Sequence, residues 1–209
     1  IFDRMFGTFQ AEEEEVVFGI TSQPKSWNPL WLNFEYWGGL FKDVAKARNI
    51  GDAIKMLVLK PGWRPDYLGG VLPFKEVTPK TFHKYDTQIA VGLNYYIFFQ
   101  FVLVLGGTTA YLLAADSLGW PARIGVGVLI ITTLVSLGGL LESKRWALFI
   151  EILRLVAGAP VAILLLQAVA NPVMVAVAVP VVTLVSIAWL VPYHSTLKRA
   201  EQESVIANA

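Results

Sequence analysis

Apolar residues are spread very unevenly along this chain. From residue 89 to 193 they run almost without interruption, and the block divides into four stretches, 89–115, 123–141, 146–170 and 172–192. A helix needs ~20 mostly apolar residues to cross ~30 Å of hydrocarbon. A core helix of a soluble bundle would instead keep a polar stripe at helical spacing. Residues 125–141 and 173–190 carry no charge on any face, so the pattern predicts four membrane helices. Gly106-Gly107, Gly125-x-Gly127 and Gly138-Gly139 are small-residue patches that let such helices approach closely. Pro160 and Pro180 predict kinks in the third and fourth spans.

Before residue 89 the pattern is mixed. Ser26 or Asn28 is placed to cap a helix with Pro29 in its first turn. Leu30, Phe34, Trp37, Phe41 and Val44 then recur at helical spacing over 26–47. Trp27, Trp31, Tyr36 and Trp37 make this the most aromatic part of the chain. Tryptophan and tyrosine favour the headgroup level of a bilayer, where the ring is buried and its polar edge stays wet. Two readings stand side by side: a helix lying in the interface, or the same face packed on another domain. Residues 51–59 predict a second short helix with Ile54, Leu57 and Val58 on one face. Pro61, Pro65, Pro73 and Pro79, with Gly69-Gly70 between, predict an irregular connector. That glycine pair lacks the lysine-serine ending of a phosphate loop and reads as a turn.

The expected architecture is an all-α integral membrane protein, four transmembrane helices preceded by short amphipathic helices and loops. Its segments would be 1–25, an interfacial part 26–88, the membrane block 89–193 and a tail 194–209. Composition agrees, at 55% hydrophobic residues and a mean hydropathy of +0.55. A net charge of +1 gives no field to recruit nucleic acid. The absence of cysteine rules out disulfides and thiolate metal sites. The chain opens on Ile1 with no signal-peptide pattern, and it is expected to be the C-terminal part of a longer chain.

Charge also predicts an orientation. Of the 17 lysines and arginines, 11 precede the first span; Arg123 alone occupies the first connection, Lys144 and Arg145 the second, and Lys198 and Arg199 the tail. That alternation satisfies the positive-inside rule with both termini cytoplasmic. Glu12 to Glu15 is a run of consecutive carboxylates, which diverge along a chain and read as a solvated patch rather than a metal site. Glu151 and Arg154 are three apart, hence neighbours on one helix face. They read as a structural pair about two turns from Lys144-Arg145, within reach of the interface by their long side chains. A proton path or lipid-headgroup contact is the alternative. The two histidines, His83 and His194, lie far apart in sequence; His83 reads as a hydrogen-bonded interfacial residue.

Residues 3–9, Asp-Arg-Met-Phe-Gly-Thr-Phe, add a different kind of information. The run resembles the Trp-Asp-Arg-x-Phe-Gly-Thr-Phe signature that closes the catalytic domain of the sterol desaturase/fatty acid hydroxylase superfamily. Phe2 stands where that signature usually has Trp. Val16-Val17-Phe18-Gly19-Ile20-Thr21, Asn28-Pro29-Leu30-Trp31 and Lys60-Pro61-Gly62-Trp63-Arg64-Pro65 fit the same pattern, which is most similar to the alkylglycerol monooxygenase-like branch.

The resemblance implies a membrane-bound non-haem di-iron oxygenase that hydroxylates, desaturates or cleaves a lipid with O₂, its iron held by histidine boxes that precede the signature. Two isolated histidines cannot make such a site, so the iron ligands are expected upstream and this chain alone is predicted inactive. Asp3 and Arg4 are then the candidates for supporting a ligating imidazole. Trp31, Trp37 and Trp63 are candidate lipid or interface anchors. Membrane lipids and a lipid substrate are the implied partners, together with an electron donor or pterin. The rival reading is a non-enzymatic scaffold or a small transporter-like bundle.

Overall fold

A computed structural model describes residues 2–11, 23–71, 77–78, 81–82, 84–168 and 170–197. The acidic run Glu12–Glu15, the motif at 16–21, His83, Pro73, Pro79 and the basic tail pair Lys198 and Arg199 lie outside the described residues. Among the described residues the regular structure is helical throughout. The α-helices are α1 (Phe2–Met5), α2 (Pro29–Val44), α3 (Ile50–Val58), α4 (Val91–Ala114), α5 (Trp120–Leu141), α6 (Arg145–Gln167) and α7 (Pro172–Leu190), with short 3₁₀ turns at Asp66–Leu68, Ala115–Ser117 and Val191–Tyr193. The chain divides into two compact units, Ile1–Lys25 with Trp37–Asp86 and Ser26–Tyr36 with Thr87–Ala209.

The first unit is held largely by polar links at its surface. Asn49 caps α3: its side chain accepts from the Asp52 amide at 2.7 Å and donates to the Asp52 carboxylate at 2.9 Å. The Tyr67 hydroxyl donates to the same carboxylate at 3.0 Å and accepts from the Arg48 amide at 3.0 Å. The Arg48 guanidinium lies over the Tyr67 ring, 4.5 Å from its centroid. Asp43 pairs with Arg64 and, at 3.8 Å, with Lys46. Apolar burial contributes little. Met56 is the buried residue of α3, whereas Ile50, Ile54, Leu57 and Val58 are exposed.

The second unit contains the membrane block and begins at the cap of α2. Of the two candidate caps, Asn28 takes the role, accepting from the amides of Leu30 and Trp31 at 3.0 and 3.3 Å. Ser26 turns away and donates to Glu142 at 2.6 Å, as does the Trp27 amide at 2.6 Å. This short segment crosses the end of α5 so closely that a Cβ on Gly138 would sit 2.6 Å from the Trp27 carbonyl. Glycine is required there because the backbone of another segment occupies the space.

Each long helix buries one stripe. On α4 it runs through Leu93, Tyr96, Ile97 and Gln100, and on α6 through Leu148, Glu151, Leu155 and Gly158. Leu137 and Leu140 of α5 and Leu190 of α7 complete the core. The helices α5 and α6 form a tight hairpin. Lys144 donates to the Gly139 carbonyl and Ser143 to that of Leu140, which closes α5 with Ser143 in the left-handed region (φ 56°). At Gly158 an added Cβ would run into Leu129, so this glycine, together with Gly139, sets the approach of the two helices.

Two expectations change. The helix α5 starts at Trp120, ahead of Arg123, because Pro121 suits a first turn and Arg123 folds back to donate to the Leu118 carbonyl at 2.8 Å. Gly106 and Gly107 are not helix contacts, since nothing lies within 4 Å of a Cβ placed on either. The helices α6 and α7 continue through Pro160 and Pro180. In α7, Asn171 caps the start, accepting from the amides of Val173 and Met174.

Candidate functional site: a buried polar network among the membrane helices

Glu151 is 0% exposed, in the middle of the inward stripe of α6. A carboxylate there must have every lone pair answered, because burying a charge without partners is prohibitive. A carboxylate offers about four acceptor positions, and here all are used. Oε1 accepts from the Tyr96 hydroxyl of α4 at 2.5 Å and from Arg154 Nη2. Oε2 accepts from Arg154 Nε at 2.7 Å and lies 2.5 Å from the Ser136 hydroxyl of α5. Ser136 Oγ is also 2.9 Å from the Thr133 carbonyl. Its single hydrogen serves one acceptor, and the charged carboxylate is the stronger one.

Arg154 thus grips Glu151 with two nitrogens, and its side chain is only 9% exposed. The second hydrogen of Nη2 goes to Gln100 Oε1 of α4 at 3.0 Å, and Gln100 Nε2 donates to Ser186 Oγ of α7 at 2.7 Å. A single connected network therefore joins all four long helices. Among the described residues no buried side-chain nitrogen or oxygen lacks a partner. Tyr96 also packs edge-on against Trp189, with ring centroids 5.9 Å apart.

The sequence placed Glu151 and Arg154 side by side near the membrane surface. The structure turns both inward, because partners on α4, α5 and α7 hold them there. Those partners were missed. Their signal was present in Tyr96 and Gln100, two polar residues four apart in a largely apolar run and so on one helix face.

The remaining candidates are elsewhere. Asp3 and Arg4 lie in the exposed α1. The Asp3 carbonyl accepts from the amides of Thr8 and Phe9 at 2.8 and 3.1 Å, and the Arg4 guanidinium lies 4.6 Å from the centroid of Phe9. Trp31 and Trp37 are exposed on α2, whereas Trp63 is half-buried in the loop after α3. His194 is exposed. Among the described residues no three His, Cys, Asp or Glu side chains gather where a metal ion could be held. The described donor set does not fit an iron centre.

The outward faces complete the picture. No more than 39% of the most apolar window of any long helix is buried. Phe98, Leu113, Phe149 and Val173 point outward with no polar side to the helix. Such surfaces are stable only in hydrocarbon. The chain is a multi-pass helical membrane protein.

Its sequence is similar to three curated alkylglycerol monooxygenases. The zebrafish (Danio rerio) protein is 28% identical over 75% of this chain. The human protein is 29% identical over 74%, and the Xenopus tropicalis protein 28% identical over 74%. The likeness to the alkylglycerol monooxygenase-like branch, expected from the motifs, is borne out by these relatives. The chain spans about a third of their length, the matched part covering 35% of each. No family model matches the chain. No solved structure matches it either.

Proposed function

We propose that this chain is part of a membrane-bound oxygenase that acts on lipids with O₂. The observation that carries the reading is the similarity of three-quarters of the chain to alkylglycerol monooxygenases. In this reading the di-iron centre is ligated by sequence outside these 209 residues, and an electron donor or pterin serves it there. The role of the chain itself is positional. The network of Glu151, Arg154, Tyr96, Gln100, Ser136 and Ser186 fixes four membrane helices as one body. Asp3 and Arg4, in the motif shared with the superfamily, support the iron site from its edge. The distribution of lysine and arginine supports an arrangement with both termini cytoplasmic.

The test compares this chain with the same chain carrying its natural upstream sequence, both purified in lipid nanodiscs. Iron near two per molecule and O₂-dependent turnover of an alkylglycerol in the extended form alone are expected. Neither iron nor turnover in the extended form would overturn the oxygenase and favour a helical scaffold. In the active form, Asp3→Ala is expected to lower iron content or turnover by ~10–100-fold, the usual cost of losing a partner of a metal-bound imidazole. Unchanged iron and turnover would limit Asp3 to shaping the turn at Thr8 and Phe9.

A further inference from the structure

Beside the polar network the four long helices leave a cleft of about 440 Å³. That volume falls within the ~300–1,000 Å³ typical of small-molecule sites. The walls are almost wholly apolar, and small residues create the space: Gly106 and Gly107 of α4, Gly158 and Ala162 of α6, Ala178 of α7. Val102 and Leu103 line it and are exposed, so the cleft opens on the lipid-facing surface. One end is polar, formed by Gln100, Thr133, Arg154 and Thr183.

The hydrogen-bond account at that end leans towards donors. Every acceptor position of Glu151 is filled, and one of the two on Gln100 Oε1 is taken by Arg154. Thr133 donates to the Leu129 carbonyl at 2.6 Å. Donors, by contrast, are left over. Among the described residues Arg154 uses Nε and Nη2 and leaves both hydrogens of Nη1, and Gln100 Nε2 uses one hydrogen of two. The Thr183 hydroxyl has no hydrogen bond to the described residues. Arg154 is already neutralised by Glu151, so an anionic group would bring a second, uncompensated negative charge into a low-dielectric site. The complement is an uncharged oxygen acceptor on a hydrocarbon chain.

We propose that this cleft binds one single-chain lipid, its hydrocarbon tail along α4, α6 and α7 and its uncharged oxygen head on Arg154, Gln100 and Thr183. The bilayer supplies such a ligand laterally through the flank at Val102 and Leu103. The site uses the four-helix block alone, goes beyond the oxygenase reading and stands without it.

The experiment uses the purified chain in nanodiscs and a diazirine-tagged cetyl alcohol, with adducts mapped by mass spectrometry. Labelling is expected in segments 100–107, 154–166 and 178–183 and should be displaced by untagged cetyl alcohol. Hexadecane, which lacks the acceptor, and palmitate, which adds charge, should each compete about tenfold less well, since a site built to donate hydrogen bonds rejects a chain that cannot receive them.

Gly107→Leu fills the cleft where a Cβ meets nothing within 4 Å, and it should lower cleft labelling about tenfold, the equivalent of losing one good contact. Gly106→Leu, equally free of clashes, provides a second filling variant, and an unchanged melting temperature certifies the fold of each. Thr183→Val should weaken displacement by the alcohol but not by hexadecane. Adducts spread evenly over the outward faces and indifferent to both leucine variants would overturn the site. Equal competition by hexadecane, or stronger competition by palmitate, would overturn the proposed head recognition.

Discussion

Two arginine–carboxylate pairs in this protein make opposite contributions. Asp43 and Arg64, in the first unit, have side chains 19% and 29% exposed. Glu151 and Arg154, in the membrane block, are 0% and 9% exposed. The chemistry is the same, but the medium is not. Water and counterions reach the first, half-buried pair and compete with it, so such a pair near the surface is worth ~0–1 kcal/mol. Packed helices enclose the second, and its value lies in what would remain if half of it were lost. It is also tied into three other helices, whereas among the described residues Asp43 adds only Lys46. A buried pair specifies an arrangement more than it adds net stability.

The largest expected effect comes from breaking that buried pair. Glu151→Gln leaves the guanidinium of Arg154 uncompensated in the bundle and should destabilise the block by ~3–5 kcal/mol, the usual consequence of orphaning a buried charge. Thermal unfolding in nanodiscs reads it. Glu151→Gln with Arg154→Met removes both charges and should recover most of the loss; a double variant as unstable as the single one would mean that the individual hydrogen bonds, not the charge balance, hold the helices.

Next comes helix approach. Gly158→Val forces a side chain against Leu129 and should cost ~1–3 kcal/mol by overpacking. In the same melts, a neutral outcome would show that α5 and α6 can part without loss.

The first unit should respond more weakly. Asn49→Ala removes the cap of α3 and its link to Asp52, at ~1 kcal/mol, measurable as faster amide exchange over 50–58. Asp43→Asn is the smallest, within ~1 kcal/mol and declining with added salt. If Asp43→Asn rivalled Glu151→Gln, water access would not be what separates the two pairs.

Much of this was legible in the chain. Four long apolar runs, two of them without a charge over 125–141 and 173–190, fit only a membrane, and the described residues form four helices long and apolar enough to cross one. Asn28 before Pro29 announced the start of α2, and Pro121 could have announced α5. The network was legible only in half. The i,i+3 spacing of Glu151 and Arg154 made them neighbours, but Tyr96, Gln100, Ser136 and Ser186 are separated from them by between 15 and 55 residues for the bonds that reach α6, and by 86 for the bond from Gln100 to Ser186. No local rule joins residues at such distances.

The glycines make the same point. Gly106-Gly107 and Gly138-Gly139 look alike in sequence, yet one pair borders open space and the other is pressed against neighbouring segments. Sequence alone determined the medium, the number of spans and the start of α2, because hydropathy, capping and proline act within a turn or two. Tertiary structure alone decided which way Glu151 and Arg154 face and where the cleft opens. Those outcomes depend on which side chains four separate helices bring to one place, and in hydrocarbon that meeting must satisfy every buried charge at once.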